Sequence, residues 1–383
     1  MGYELKLIFI IAQEVALSTG RFAGLVVHQV AACCSAASGE QRTGIATTGT
    51  RARSATVPGM RTMKAMVARA WGEPDTLEYA EVLRPRPGAG EVLLDVRAVG
   101  CNFPDILMVQ GRYQRKPPFP FSPGHEVSGV VAELGDGVQG PAVGTRVIAL
   151  VDHGAYAEAV AVAADRVHPL PDALGDEAAA AFGIVYQTAW CALVHRAALR
   201  PGETLLVHAA AGGVGLAAVQ VGRALGARVI ACAGTEAKRQ LALTHGADAA
   251  VDYGVAGWPD QVRALTGERG VNVVFDPVGG DVFDGSTRCV ASEGRILVVG
   301  FAGGRIAEIA TNRILLKNLS VVGVHWGSYA PAIVAAWMQR LLALHAAGQV
   351  APVIWRSYAL RDAAAALAAL GARESHGKIV LVP

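Results

Sequence analysis

An α/β fold with two unlike domains is predicted by three features of the chain. Between residues 203 and 324, short apolar runs without polar alternation recur six times, separated by stretches of helical period. At residues 205–225 one such run leads directly through a glycine turn into a helix. Residues 63–183 instead carry short β-rich runs bounded by Gly or Pro. Strands buried on both faces lack alternation, so the first pattern is that of a doubly wound, six-stranded parallel sheet. The last is that of an antiparallel β-barrel.

The 383 residues, 52% hydrophobic and 17% charged, have the composition of a folded chain. Thirty-four basic against thirty-two acidic residues leave a net charge of +2, without the excess that neutralising nucleic-acid phosphates requires. A small-molecule partner is expected and a nucleic-acid partner is not. The six cysteines, at 33, 34, 101, 191, 232 and 289, form no C-x-x-C pair. Neither a disulfide framework nor a zinc ribbon follows, and a reducing cytoplasm is expected.

Residues 1–62 lack the sustained period of what comes after. They are read as disordered or as a mis-assigned extension, with Met63 or Met60 as the start. Residues 5–30 are apolar but interrupted by Gln13, Glu14, Arg21 and His28, too broken for a bilayer span of ~20 apolar residues. Glu4 and Glu14 spoil the pattern of a secretory signal.

In the parallel sheet, strands are expected at 204–208, 228–232, 249–252, 272–276, 295–299 and 320–324. The first runs into Ala209-Ala-Ala-Gly-Gly-Val-Gly215, and a helix over 216–225 is closed by Gly226. Aligned on Gly215, the turn reads Ala210-x-Gly212-x-x-Gly215, a dinucleotide fingerprint with alanine at its first position. Without a Cβ at Gly212 and Gly213, the backbone of the turn, Val214 included, is open to a pyrophosphate at the helix N-terminus. Gly215 permits close packing of helix on strand. At the tip of the second strand, where a carboxylate would bind a ribose 2′-OH, the chain has Ala233-Gly234-Thr235, followed by Lys238 and Arg239. A hydroxyl and cations suit a 2′-phosphate, so NADPH is expected over NADH. One charge-assisted lysine contact, roughly 1.5 to 3 kcal/mol, gives about tenfold preference or more. Glu236 opposes this slightly, and the lesser alternative for Arg239, and still less for Lys238, is a solvated charge run opening the next helix.

In the first domain, strands are expected at 92–99, 127–133, 146–150 and 156–162. Five motifs then carry a resemblance. Gly100-Cys-Asn-Phe-Pro-Asp-Ile-Leu107, Gly111-Arg-Tyr113, Pro123-Gly-His-Glu-Val-Ser-Gly129, the glycine turn and His376-Gly-Lys-Ile-Val380 are, in this order, similar to the medium-chain dehydrogenase/reductase superfamily. Within it the zinc-free NADPH:quinone oxidoreductase branch is the one the chain resembles, over residues 63–383. The resemblance implies a GroES-like catalytic β-barrel over 63–183, a Rossmann domain over 184–320, and a return of 321–383 to the barrel. An active-site cleft is implied between the domains. It further implies that Asn102 and Phe103 lie beside the nicotinamide, that Thr188 and Val278 touch it or its ribose, and that Phe301 closes the crevice. Thr235, Lys238, Tyr253 and Arg373 would surround the 2′-phosphate, Lys378 would help seal the cofactor, and Tyr113 would face the substrate. Leu107 stands where some members have a second tyrosine. Residues 316–324 are implied as an edge strand joining a partner's sheet in a homodimer.

Zinc-dependent relatives place a cysteine three residues before the position of Asp105, a His in Gly-His-Glu, and a third thiolate later. Asn102, His125 and residues 182–184 occupy those places here. One ligand of three is too few for catalytic zinc, and Cys101, one residue out, faces the other side of an extended segment. No metal is expected, and His125 is read as a hydrogen-bonded core or cleft-wall residue. Asp105 reads equally as a structural acceptor and as a catalytic group, and no side chain stands out as an indispensable general acid.

An already electrophilic acceptor needs no metal to polarise it. The expected function is therefore zinc-independent hydride transfer from NADPH to quinones or α,β-unsaturated carbonyls, in the cytoplasm and off the membrane. Three alternatives stand beside it: an enoyl-thioester reductase using Arg112, Arg115 and Lys116 as a basic patch, a zinc-type alcohol dehydrogenase, and a non-catalytic NADPH-binding protein of crystallin-like or RNA-binding kind.

Overall fold

The computed structural model describes residues 61–383, and the readings of residues 1–60 lie outside them. β1 (Thr62–Val67) buries Ala65, Met66 and Val67 and pairs antiparallel with β2 (Glu78–Leu83). The main sheet of the first domain holds β3 (Glu91–Gly100), β4 (Glu126–Leu134), β5 (Arg146–Leu150), β6 (Ala159–Ala163) and β7 (Val167–Pro169). The first three match the expected strands closely. The fourth begins three residues later than the expected 156, because Tyr156 N donates to Pro123 O and Tyr156 O accepts from Met66 N. Tyr156 thus bonds to β1 and to the loop before β4, not to β3.

The second domain contains β8 (Thr204–Val207), β9 (Arg228–Cys232), β10 (Ala249–Val251), β11 (Val271–Asp276), β12 (Val290–Val298) and β13 (Ser320–Gly323). They form one parallel sheet in the order β10-β9-β8-β11-β12-β13, the doubly wound arrangement that the unalternating runs predict. β8 shows why alternation is missing. Leu205 and Val207 enter one core, Leu206 enters the core on the opposite face, and all three are fully buried. Each such burial stabilises the fold by roughly 1.5–3 kcal/mol. Strand order reverses between β8 and β11, so a crevice opens beyond their carboxyl ends.

Residues 316–324 differ from the expected edge strand. Leu316 belongs to a helix, Thr311–Lys317, which Asn318 terminates in the left-handed region at φ 49°. Only Ser320–Gly323 pairs with β12, at the edge of the sheet.

The helix Pro331–Ala346 then packs Met338 and Leu341 into the core below β8. β14 (Ile354–Ala359) and β15 (Lys378–Val382) join the first sheet, with β15 antiparallel to β3 at Val380 and Gly100. Just before β15, Gly377 N donates to Ala211 O at 2.7 Å, so the last strand of the first domain meets the glycine turn of the second. Among the described residues, no helix is long and apolar enough to cross a membrane.

Candidate active site

The first wall of the site is set by a cap. Asn102 N donates to Asp105 Oδ2 at 2.8 Å, completing a capping box that starts the helix α1 (Phe103–Val109) at the end of β3. The Asn102 side chain is held at both ends. Its Nδ2 donates to Glu126 Oε1 (2.8 Å) and Gly100 O (3.1 Å), and its Oδ1 accepts from Lys378 Nζ (2.8 Å). Lys378 Nζ also donates to Cys101 O and Glu126 Oε1, both at 2.7 Å, while Glu126 Oε2 accepts from Ile184 N (2.7 Å). This ion pair is buried, with side-chain exposures of 5% and 0%. Only a glycine at 100 allows it: a Cβ there would lie 2.5 Å from Glu126 Oε1 and 2.1 Å from Ala180 O. Lys378, expected at the cofactor, thus turns its ammonium inward, and Asn102 reaches the cleft wall as an immobilised amide.

Asp105 and His125, read singly in the sequence, form one unit. His125 Nδ1 bonds to Asp105 Oδ1 at 2.5 Å, and Asp105 Oδ2 also accepts from Tyr156 Oη at 3.0 Å. His125 is a hydrogen-bonded cleft-wall residue, as expected, but its Nε2 is buried without a partner. Tyr113 packs edge-on against the imidazole, ring centroids 5.5 Å apart. Burial first, and then the negative charge of Asp105, raises the Tyr113 hydroxyl above its ordinary range, so it stays protonated and able to donate. Burial likewise pushes the Cys101 thiol up to about 12. Among the described residues, no group of three or more His, Cys, Asp or Glu side chains is placed to hold a metal ion.

The second wall is the glycine turn, where Gly212 caps the helix α2 (Gly213–Ala224). A Cβ at Gly215 would lie 2.2 Å from Ala209 O, and one at Gly213 2.7 Å from Lys378 Cδ. The latter contact ties the turn to the buried ion pair. Gly212, Gly213, Val214, Phe103, Thr188 and Phe301 all face a cleft of about 1920 Å³. Thr188 turns its hydroxyl back to Ile184 O at 2.7 Å. Gly215 and Val278 stand behind this wall. Val278 N is pinned, with Gly279 N, by Asp276 Oδ1 at 2.8 and 2.9 Å.

Beyond the glycine turn, Thr235 caps the helix α3 (Glu236–Thr244), accepting from Lys238 N at 3.3 Å. Lys238 Nζ donates to Arg373 O (2.5 Å), and the Arg373 guanidinium donates to Ala302 O (2.8 Å), which lies on the cleft wall. The Tyr253 ring lies under Gly234, 3.8 Å from where a Cβ would stand. The four residues expected around a 2′-phosphate therefore gather at the tip of β9, next to the main cleft. Arg239 is held by Asp252 (2.7 Å) and Glu236 (2.8 Å), which leaves Lys238 and Arg373 as the cations of this corner. Burial, and then the charge of Arg373, lowers the Lys238 ammonium below its usual range. Among the described residues neither Lys238 nor Arg373 is paired to a carboxylate, and both donate to backbone carbonyls instead.

Sequence reasoning did not find Glu126, nor that Asp105 and His125 touch. The signal available was Gly124-His-Glu126, which lays both buried partners on one segment.

Residues 88–172 match the alcohol dehydrogenase GroES-like domain and residues 213–344 the zinc-binding dehydrogenase family. Quinone oxidoreductase-like protein 2 of Rattus norvegicus is 40% identical over 326 residues, 84% of this chain and 92% of that protein. Quinone oxidoreductase of the same species is 35% identical over 310 residues, 80% of this chain and 94% of that protein. The crystal structure of Escherichia coli quinone oxidoreductase complexed with NADPH aligns with a TM-score of 0.79 at 30% identity, over 84% of this chain and 100% of that one. Matches of this extent, running through both domains in order, place the chain in the quinone oxidoreductase branch of the medium-chain dehydrogenase/reductase superfamily.

Proposed function

We propose that the protein is a zinc-independent reductase that uses NADPH to reduce quinones or α,β-unsaturated carbonyls. One observation carries this reading: a single cleft runs past the glycine turn to an apolar wall of Phe103, Leu107, Ile184 and Phe301, with the cation corner at its rim. The residues fit the cofactor. Backbone at Gly212 and Gly213, at the N-terminus of α2, suits a pyrophosphate, and Lys238 with Arg373 suits a 2′-phosphate. When bound, NADPH supplies the hydride. The chain contributes orientation, a dry apolar wall, and a protonated Tyr113 hydroxyl able to bond the reduced oxygen.

Zinc independence draws support from Asn102, whose amide is fully engaged where zinc-dependent relatives have a thiolate. Stoichiometric zinc in purified protein would refute it. For the enoyl-thioester alternative, Arg115 pairs with Asp152, while Arg112 and Lys116 line the cleft without an ion pair among the described residues. A homodimer through β13 is supported by its edge position and by Leu315 and Leu316, which are three-quarters exposed beside it. A cytoplasmic location accords with the four buried, unbridged cysteines among the described residues.

The deciding experiment is to mix the protein with NADPH and a panel of quinones and enones and to follow the nicotinamide absorbance. Loss of absorbance with at least one of them is expected, and none with any sinks the reading. Lys238→Ala is expected to cut the preference for NADPH over NADH by about tenfold or more, measured as the ratio of kcat/KM values. Tyr113→Phe is expected to lower turnover modestly, by less than about tenfold, since the loss is one neutral hydrogen bond of roughly 1 kcal/mol. A loss of several thousandfold would show that Tyr113 does more than bond the oxygen.

A further inference from the structure

We infer that the protein carries a second anion site, at the end of the parallel sheet opposite the glycine turn, suited to a small polyphosphate. β9, β8, β11 and β12 lie side by side, and Arg228, Thr204, Asn272 and Ala291, each first or second in its strand, line one depression there. The glycine turn follows the other end of β8, so four residues of strand, ~13 Å at ~3.3 Å each, separate the two. The depression encloses about 460 Å³, the size of a small-ligand site. Arg200, Arg228 and Arg269 all line it. Among the described residues none of the three pairs with a carboxylate, because the acids nearby are already engaged. Glu203, the one acid on its wall, accepts from Arg295 Nη2 at Oε1 (2.5 Å) and from Arg200 N at Oε2 (2.8 Å). Glu268, next to Arg269 in the chain, pairs with Arg263 at 2.7 Å. Three uncompensated guanidiniums in one depression exceed the net charge of +2 on the whole chain.

Two of these arginines also serve the fold. Arg228 Nη1 donates to Leu265 O (2.8 Å) and Arg269 Nε to Thr266 O (3.5 Å), carbonyls at the end of the helix Trp258–Leu265. A guanidinium has five N–H donors, so each keeps four. The Arg200 guanidinium bonds to no protein group among the described residues. Asn272 spends Oδ1 on Thr204 N at 2.8 Å, which fixes its amide and presents Nδ2 as a further donor. Guanidiniums and an amide N–H₂ donate only, so the ligand they fit offers several negatively charged acceptor oxygens. Three separate guanidiniums are met better by a short chain of phosphoryl groups than by one tetrahedral anion.

The test titrates inorganic triphosphate into the full chain by calorimetry, with NADPH in excess to fill the cleft. Saturable binding that weakens as salt rises is expected. Arg200→Gln and Arg269→Gln are each expected to lower triphosphate affinity by about tenfold or more. NADPH affinity is expected to stay within about twofold in both, because the two sites are a strand apart. Arg200→Gln breaks no described side-chain bond and guards against a folding failure of Arg269→Gln, whose guanidinium also closes a helix. Inorganic sulfate, a single tetrahedral anion, is expected to bind at least about tenfold more weakly than triphosphate. No saturable binding of triphosphate below about 1 mM, an affinity unchanged by Arg200→Gln, or sulfate bound as tightly would each overturn the assignment. So would a matching loss of NADPH affinity in the arginine variants, which would put the triphosphate in the cofactor cleft.

Discussion

Lys378→Met is expected to destabilise the protein by about 3–5 kcal/mol, the usual loss when one partner of a buried ion pair is removed. Methionine keeps the stem that rests on Gly213 but has no proton to offer. Cys101 O, Asn102 Oδ1 and Glu126 Oε1 all lose a donor at once. Glu126 would remain as a buried carboxylate holding only Asn102 Nδ2 and Ile184 N. The double variant Lys378→Met, Glu126→Gln removes the stranded charge and is expected to recover most of that stability. Urea unfolding at neutral pH measures both. A loss below about 1 kcal/mol in the single variant would mean that the pair is solvated. Activity is expected to fall as well, because Asn102, with its cap on α1, is oriented by this same network.

Gly215→Ala is the second large effect. Its Cβ would meet Ala209 O at 2.2 Å, and Ala209 C and Ala210 Cα at 2.8 Å. These are backbone atoms, which cannot rotate aside, so α2 must move away from β8. Overpacking of this kind costs roughly 1–3 kcal/mol or more. The displaced turn also carries Gly212 and Gly213, so NADPH affinity is expected to fall by at least about tenfold, read by calorimetry. Retained affinity would mean that the cofactor does not lie against this turn.

How much of this was legible in the sequence depended on range. The six parallel strands were readable because residues such as Leu205, Leu206 and Val207 are buried on both faces, and that erases alternation locally. The glycine turn was readable because strand, turn and helix are contiguous. The start of β6 was misplaced because the partners of Tyr156 are Pro123 and Met66, far off in the chain. The edge strand was drawn too long because a run such as Leu315-Leu316 fits helix and strand alike, and Asn318 decides between them only through its left-handed backbone. The ion pair of Glu126 with Lys378 spans 252 residues and the bond of Asp105 to His125 spans 20; neither leaves a periodic trace. For the same reason the bond of the Lys378 ammonium to Glu126 was not legible in the sequence.

At the centre of the account is a phosphate-bearing dinucleotide lying along the turn before α2, its extra anion met by Lys238 and Arg373. Titrating NADPH and NADH separately into the full chain by calorimetry tests this most directly. Binding of NADPH at least about tenfold tighter than NADH is the predicted result, and equal affinity for the two, or no heat from either, would contradict it.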